Sequence, residues 1–571
     1  MTFFKKYYLI LAVIILGFIL RIWGINFGLP YQFHQDEPII VNHALAYGSG
    51  DFNPHFFNIP PLTSYILSLL YGLYFLIGRI VGVVNSTDDF ALSFFKNPSF
   101  FYIIGRVALG IALGILCVFL VYILTKNVFS KRVGLSSALV MAVCCLNVIN
   151  SHYIYVDMLM VLFILLTHIS LFTLLKRASL KKYITSAIFL GLATGTKYNA
   201  ALLGFPFFLT HIFVIIKEKK QYSRIIFSKN LWLSFLTAIF VFILVNPFAL
   251  LAFREFWASF SQQASAAWHM GWWHHLMYSL KEGISLSVLL FGIIGLVAAA
   301  LREGKRGILF VSFPLIFYVV LVYYSQPFSR YALPLIPFLA IGFGYFVFEI
   351  IGVYCKRRVL KIALVSTSLL LILPTTIKSI KADMLFCTED TRVVSANWIR
   401  NNLPLGSRIA CDSTFFRPVL KQPYSQLKNK QSVIKKQPAM IALKEKKLAY
   451  MLRASDKGYR GYPVYFLSEN PQRQGQFLNT MPAIDFDIDS LRREEIDYVV
   501  INYTVTNQIK KSFLRELKKD SILVKRFSPY YNNEINPPYD KFATTCLPIV
   551  SEEIHLRKNM GPCLEIYKLK R

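Results

Sequence analysis

Residues 101–125 read FYIIGRVALGIALGILCVFLVYILT, and Arg106 is the one charge in the run. That length and apolarity match the ~20 residues a helix needs to cross a bilayer. The texture repeats on both sides. Further spans read at about 8–25, 134–150, 158–175, 183–197, 199–216, 230–250, 283–301, 307–324, 332–352 and 361–378, eleven in all. Residues 1–25 read as a retained span, because the apolar run continues through Ile25 around Arg21 and shows no small-residue cleavage site. Only 16% of the 571 residues are charged and 55% are hydrophobic. A soluble chain carries roughly 25% charged residues and a disordered one is poor in apolar residues, so both classes are excluded.

The formal charge is +31, which on a soluble chain would suggest nucleic acid. Here the cations have another address. They cluster at Lys5-Lys6, Lys126 to Arg132, Lys176 to Lys182, Lys217 to Lys229, Arg302 to Arg306 and Lys356 to Lys361, after every second span. Residues 26–61 hold no Lys or Arg. The positive-inside rule makes the basic loops and the N-terminus cytoplasmic and the others extracytoplasmic, with the bilayer rather than a nucleic acid as partner. Residues 62–84 are apolar enough to cross, but a crossing there would put every later basic cluster outside. They are expected to lie at the outer interface or to re-enter, with Tyr65, Tyr71, Tyr74 and Arg79 as interfacial anchors.

Beyond residue 378 the pattern turns polar. Asp390 reads as the cap of a helix through Trp398, Arg408–Cys411 and Tyr498–Ile501 as strands, Leu491–Ile496 as a helix and Cys563–Leu569 as a last strand. The expectation is therefore a transmembrane domain over 1–378 and an extracytoplasmic α/β domain over 379–571. Cys387, Cys411, Cys546 and Cys563 fall in the latter, with no pairing assigned.

The chemistry-bearing residues sit in the cation-poor loops. The first holds Phe33-His34-Gln35-Asp36-Glu37-Pro38. Pro38 suits the first turn of a helix running to about Tyr47, so the two acids either cap that helix or, lacking local cations, act as a base. The second holds Asn150 to Asp157, and Asp157 is either another cap or a functional acid at the edge of an apolar run. Arg106, Lys197 (in Gly195-Thr196-Lys197-Tyr198) and Arg330 (before Tyr331) fall near the same face. Singly each is an anchor; together they suit a phosphate head on a lipid tail. Residues 268–275, Trp-His-Met-Gly-Trp-Trp-His-His, include His269 and read as an interface belt or as sugar-stacking rings. No nucleotide-binding glycine loop is present, no cofactor is implied, and no metal site is assigned; His34, His43, His55 and the 269–275 histidines leave a divalent metal open.

These motifs, in this order, resemble the GT-C membrane glycosyltransferases, in the branch of the protein O-mannosyltransferases (family 39) and lipid A aminoarabinose transferases (family 83). The carrying residues are Asp36-Glu37, Pro60-Pro61-Leu62, Arg106, Ser151 to Asp157, Gly195 to Tyr198 and Arg330 to Pro334. The resemblance implies a GT-C fold and inverting transfer from a polyprenyl-phosphate sugar to an extracytoplasmic protein, lipid or envelope glycan. It also implies Asp36, Glu37 and Asp157 as the catalytic acids and Arg106, Lys197 and Arg330 as the grip on the leaving phosphate; Tyr198, Tyr331 and His269 are further candidate substrate contacts. The mannosyltransferase His-Pro-Pro-Leu-Gly-Lys is here Ile59-Pro60-Pro61-Leu62-Thr63-Ser64, without its His and Lys. A transporter or lipid flippase is the rival class, and it would carry charges near the bilayer midplane and repeated halves.

Overall fold

A computed structural model describes residues 2–265, 271–324, 328–429, 441–459, 461–468, 481–503, 508–532 and 554–570. The chain forms two compact units. The first comprises Met1–Ile25, Asp36–Gly72 and Tyr102–Met384; the second comprises Asn26–Gln35, Leu73–Phe101 and Leu385–Arg571.

The first unit is all helix. Every one of the eleven stretches read as spans is helical, but fewer meet the length and apolarity needed to cross. Among the described residues eight helices qualify, or nine if the bent pair His275–Ile284 and Leu286–Arg302 counts as one span. The shortfall has local causes. Helix Lys131–Val143 breaks where Cys144 turns extended, and resumes as Cys145–Asn150. Helix Leu180–Thr196 stops where Lys197 turns extended. Helix Leu62–Ile80 is among the eight by length and composition. The chain is thus a multi-pass membrane protein whose helices enclose an apolar core, with Cys117, Met141, Leu146, Met160, Phe313 and Phe338 at its centre.

Close helix approach depends on small residues. A Cβ on Gly295 would lie 1.8 Å from the Gly342 carbonyl oxygen, so helices Leu286–Arg302 and Ile336–Tyr345 cross backbone to backbone. Gly295→Ala should therefore cost about 1–3 kcal/mol by overpacking. An apparent Tm in detergent well below that of the parent would show it; Gly204→Ala, which faces open space, is the control.

The second unit holds a six-stranded sheet: β1 (Ile409–Cys411), β2 (Val464–Ser468), β3 (Ala483–Asp485), β4 (Tyr498–Asn502), β5 (Ser521–Phe527) and β6 (Leu564–Leu569). The order is β3-β2-β1-β4-β6-β5. The first four strands are parallel, and β6 and β5 close the edge antiparallel. Alternate residues of β1 and β4 enter two separate cores, Ala410 and Val499 one, Ile409 and Val500 the other. Both faces are therefore covered, as parallel strands require. Asp390 caps helix Thr391–Asn402, accepting from the Arg392 N–H at 2.9 Å. Cys387, Cys411 and Cys563 are free thiols, and Cys546 lies outside the described residues.

Candidate functional site

Helix Glu37–Ala46 starts where the sequence places it, with Pro38 in its first turn, and a 3₁₀ turn over Tyr47–Ser49 ends at Gly50, whose φ of +90° favours glycine. Asp36 occupies the N-cap position but its side chain makes no cap hydrogen bond. The Asp36 carboxylate instead accepts from the Arg330 guanidinium. Asp157 repeats the pattern. It opens helix Asp157–Lys176 without capping it, and its Oδ1 accepts from Lys197 Nζ at 2.7 Å. Both acids are thus turned away from helix ends and onto cations.

Those two cations are neighbours through aromatic rings. Lys197 Nζ lies 4.2 Å from the centre of the Tyr331 ring, and the Arg330 guanidinium lies 4.7 Å from Tyr155 and 5.8 Å from Tyr331. Backbone breaks make this possible. Lys197 is the extended residue between helix Leu180–Thr196 and the 3₁₀ turn Tyr198–Leu203, and Arg330-Tyr331 lie in a 3₁₀ turn over Ser329–Leu335. Asp157 Oδ2 and Arg330 Nε are buried without a hydrogen-bond partner among the described residues. A carboxylate oxygen and a guanidinium N–H are therefore left with unused hydrogen-bonding capacity.

Glu37 and Arg106 pair with each other. Both side chains are fully buried. Arg106 donates from Nε and Nη2 to the two Glu37 oxygens at 2.9 and 2.8 Å, and from Nη1 to the Ile25 carbonyl at 2.6 Å. The Ile154 N–H adds a third bond to Glu37 at 3.0 Å. The pair joins the two loops. Gly110 helps, since a Cβ there would lie 2.2 Å from the Ser151 carbonyl oxygen. Tyr198 donates to the Phe57 carbonyl at 2.8 Å, and its ring meets Phe256 and Phe260 of helix Phe253–Ser265. His269 lies outside the described residues. Tyr155 is the residue that sequence reasoning passed over. Its one signal is its place two residues before Asp157 in a Tyr-x-Tyr-x-Asp run.

Among the described residues no group of three or more His, Cys, Asp or Glu is arranged to hold a metal ion. His55 instead links two carboxylates: its Nδ1 is 2.9 Å from Glu255 and its Nε2 3.2 Å from Asp51. Partial burial pulls the His55 pKa down, but the hydrogen bonds with Glu255 and Asp51 outweigh it and the pKa is raised. A raised folded-state pKa stabilises this tie below the ordinary value near 6.5 and loses it as pH rises through the raised one. Protection factors in residues 253–265, corrected for the intrinsic pH dependence of amide exchange, should therefore be higher at pH 6 than at pH 8, and His55→Gln should erase that difference.

The comparisons with known proteins can be set beside this geometry. A family model described as dolichyl-phosphate-mannose-protein mannosyltransferase matches residues 100–249, a stretch that carries Arg106, Asp157, Lys197 and Tyr198. No curated protein matches the chain by sequence. Among solved structures, ArnT from Cupriavidus metallidurans in the apo state aligns with a TM-score of 0.52 at 13% identity, over 91% of this chain and 96% of that one. The same protein bound to undecaprenyl phosphate aligns with a TM-score of 0.51 at 11% identity, over the same shares. The chain has the GT-C glycosyltransferase fold.

Proposed function

We propose that this chain is a multi-pass glycosyltransferase that moves a hexosyl or mannosyl-like sugar from a polyprenyl-phosphate donor to an extracytoplasmic acceptor, with inversion. One observation carries the reading: Asp36 and Asp157 each begin a helix without capping it, and each is held on a cation of one aromatic-walled cluster. The likeness to a structure bound to undecaprenyl phosphate and the mannosyltransferase family match support a lipid-phosphate donor. The alternation of basic and cation-poor loops supports an extracytoplasmic face, a cytoplasmic N-terminus and a non-crossing 62–84 segment.

Asp36 orients the acceptor hydroxyl and takes its proton as the oxygen attacks the anomeric carbon. The new C–O bond forms as the bond from that carbon to the phosphate oxygen breaks. The electron pair leaves on the lipid phosphate, whose charge Lys197 and Arg330 stabilise. Asp157 positions the acceptor. Glu37 and Arg106 brace the two loops, and Tyr198 and Tyr331 wall the site.

The test incubates purified protein with radiolabelled polyprenyl-phosphate hexoses and a cell-envelope extract. Label should pass from the polyprenyl phosphate to a protein, lipid or glycan acceptor of the extract as polyprenyl phosphate is released. Translocation of the lipid across vesicles without sugar transfer would replace this reading with a flippase.

A further inference from the structure

Three buried ionisable groups take no part in the steps above. Arg21, fully buried, donates to the Gly17, Ala142 and Met141 carbonyls at 2.9, 2.8 and 3.2 Å, to the Asn147 side chain, and to Ser151 Oγ at 3.1 Å. It therefore clamps the entry to the loop that carries Asp157, using neutral acceptors alone. His152, also fully buried, has both ring nitrogens 2.9 Å from carbonyl oxygens, Val148 O at Nδ1 and Trp23 O at Nε2. Carbonyls only accept, so the two contacts are both hydrogen bonds when the ring carries both protons. Asp383, near the end of helix Arg358–Phe386, is buried completely, and neither of its carboxylate oxygens has a hydrogen-bond partner among the described residues. Its Oδ1 lies 3.7 Å from His152 Nε2. A buried unsatisfied carboxylate is costly unless it answers a charge.

We propose that Asp383 is a positioning residue: its carboxylate is the counter-charge that keeps the His152 clamp closed and so fixes the 151–157 loop and its Asp157. Asp383 acts through His152, not on substrate. The catalytic consequence rests on the proposed glycosyl transfer, whereas the loop-ordering consequence does not.

The experiment compares the full-length protein with Asp383→Asn, Asp383→Leu and Asp383→Glu, by hydrogen–deuterium exchange over residues 148–157 and by transfer kinetics. Asp383→Asn and Asp383→Leu should speed exchange in that segment about tenfold. Where transfer is measured, they should lower kcat about tenfold with KM for the lipid donor within twofold. Asp383→Glu, which restores the charge, should recover most of both. Should the neutral variants fail to fold, the Glu variant decides: ordered like the parent it supports the counter-charge, and with a loosened 148–157 segment it overturns it. Unchanged exchange in Asp383→Asn would also overturn the proposal, whatever the activity. Faster exchange in a chain that transfers no sugar would sink the glycosyltransferase reading alone.

Discussion

Asp36→Asn should leave the chain folded and lower sugar transfer by about 10²–10⁴-fold, the usual contribution of a positioned general base. The substitution keeps the shape of the side chain and one oxygen to accept from Arg330, and Asp36 does not cap its helix, so no cap is lost. What disappears is the negative charge that receives the acceptor proton in the proposed reaction. The loss should therefore fall on kcat, while retention of the lipid donor, which Lys197 and Arg330 would grip, should stay near that of the parent. Steady-state kinetics with the best donor found, together with a detergent melting curve, check both halves. Full transfer by Asp36→Asn would remove Asp36 from the chemistry.

Glu37→Gln should damage the protein far more than the reaction. The carboxylate answers Arg106 through two hydrogen bonds in a fully buried setting, and the change leaves that guanidinium without its anion. Losing one partner of a buried pair costs about 3–5 kcal/mol, whereas replacing both by apolar groups of similar size is often neutral. Arg106→Met alone should be as harmful, and Glu37→Met/Arg106→Met should regain most of the loss. Apparent Tm in detergent and yield of monodisperse protein read this out. A double variant as unstable as either single one would mean that the Ile154 and Ile25 contacts, not the charge pair, hold the two loops together.

Much of the fold was legible because apolar runs announce membrane helices directly. The start of helix Glu37–Ala46, the Asp390 cap and strands β1, β4 and β6 were also read, since Pro, a capping Asp and buried β-branched runs are strong local signals. Strand β5 was not, because Ser-Ile-Leu-Val-Lys-Arg-Phe at a sheet edge is mostly exposed and lacks inside–outside alternation. The break at Cys144 inside the 134–150 stretch was not read, because no Gly or Pro marks it. Of the candidate site, the residue types and their loops were legible, but their partners were not. Arg106 and Arg330 look alike in sequence as lone cations near one face. One ends up sealed on Glu37, the other beside aromatic rings with an unpartnered Nε.

The amino-acid order alone determined the solvent this chain folds in, the helices that follow from it and which loops are stripped of cations, because each is a local sum of transfer free energies and charge. It could not determine whether a carboxylate caps its own helix or reaches a cation nearly 300 positions away, as Asp36 reaches Arg330. Nor could it tell that Asp383 faces the loop of Asp157. Those choices belong to packing, which brings distant helix ends to one place and so decides which charge each buried group must answer.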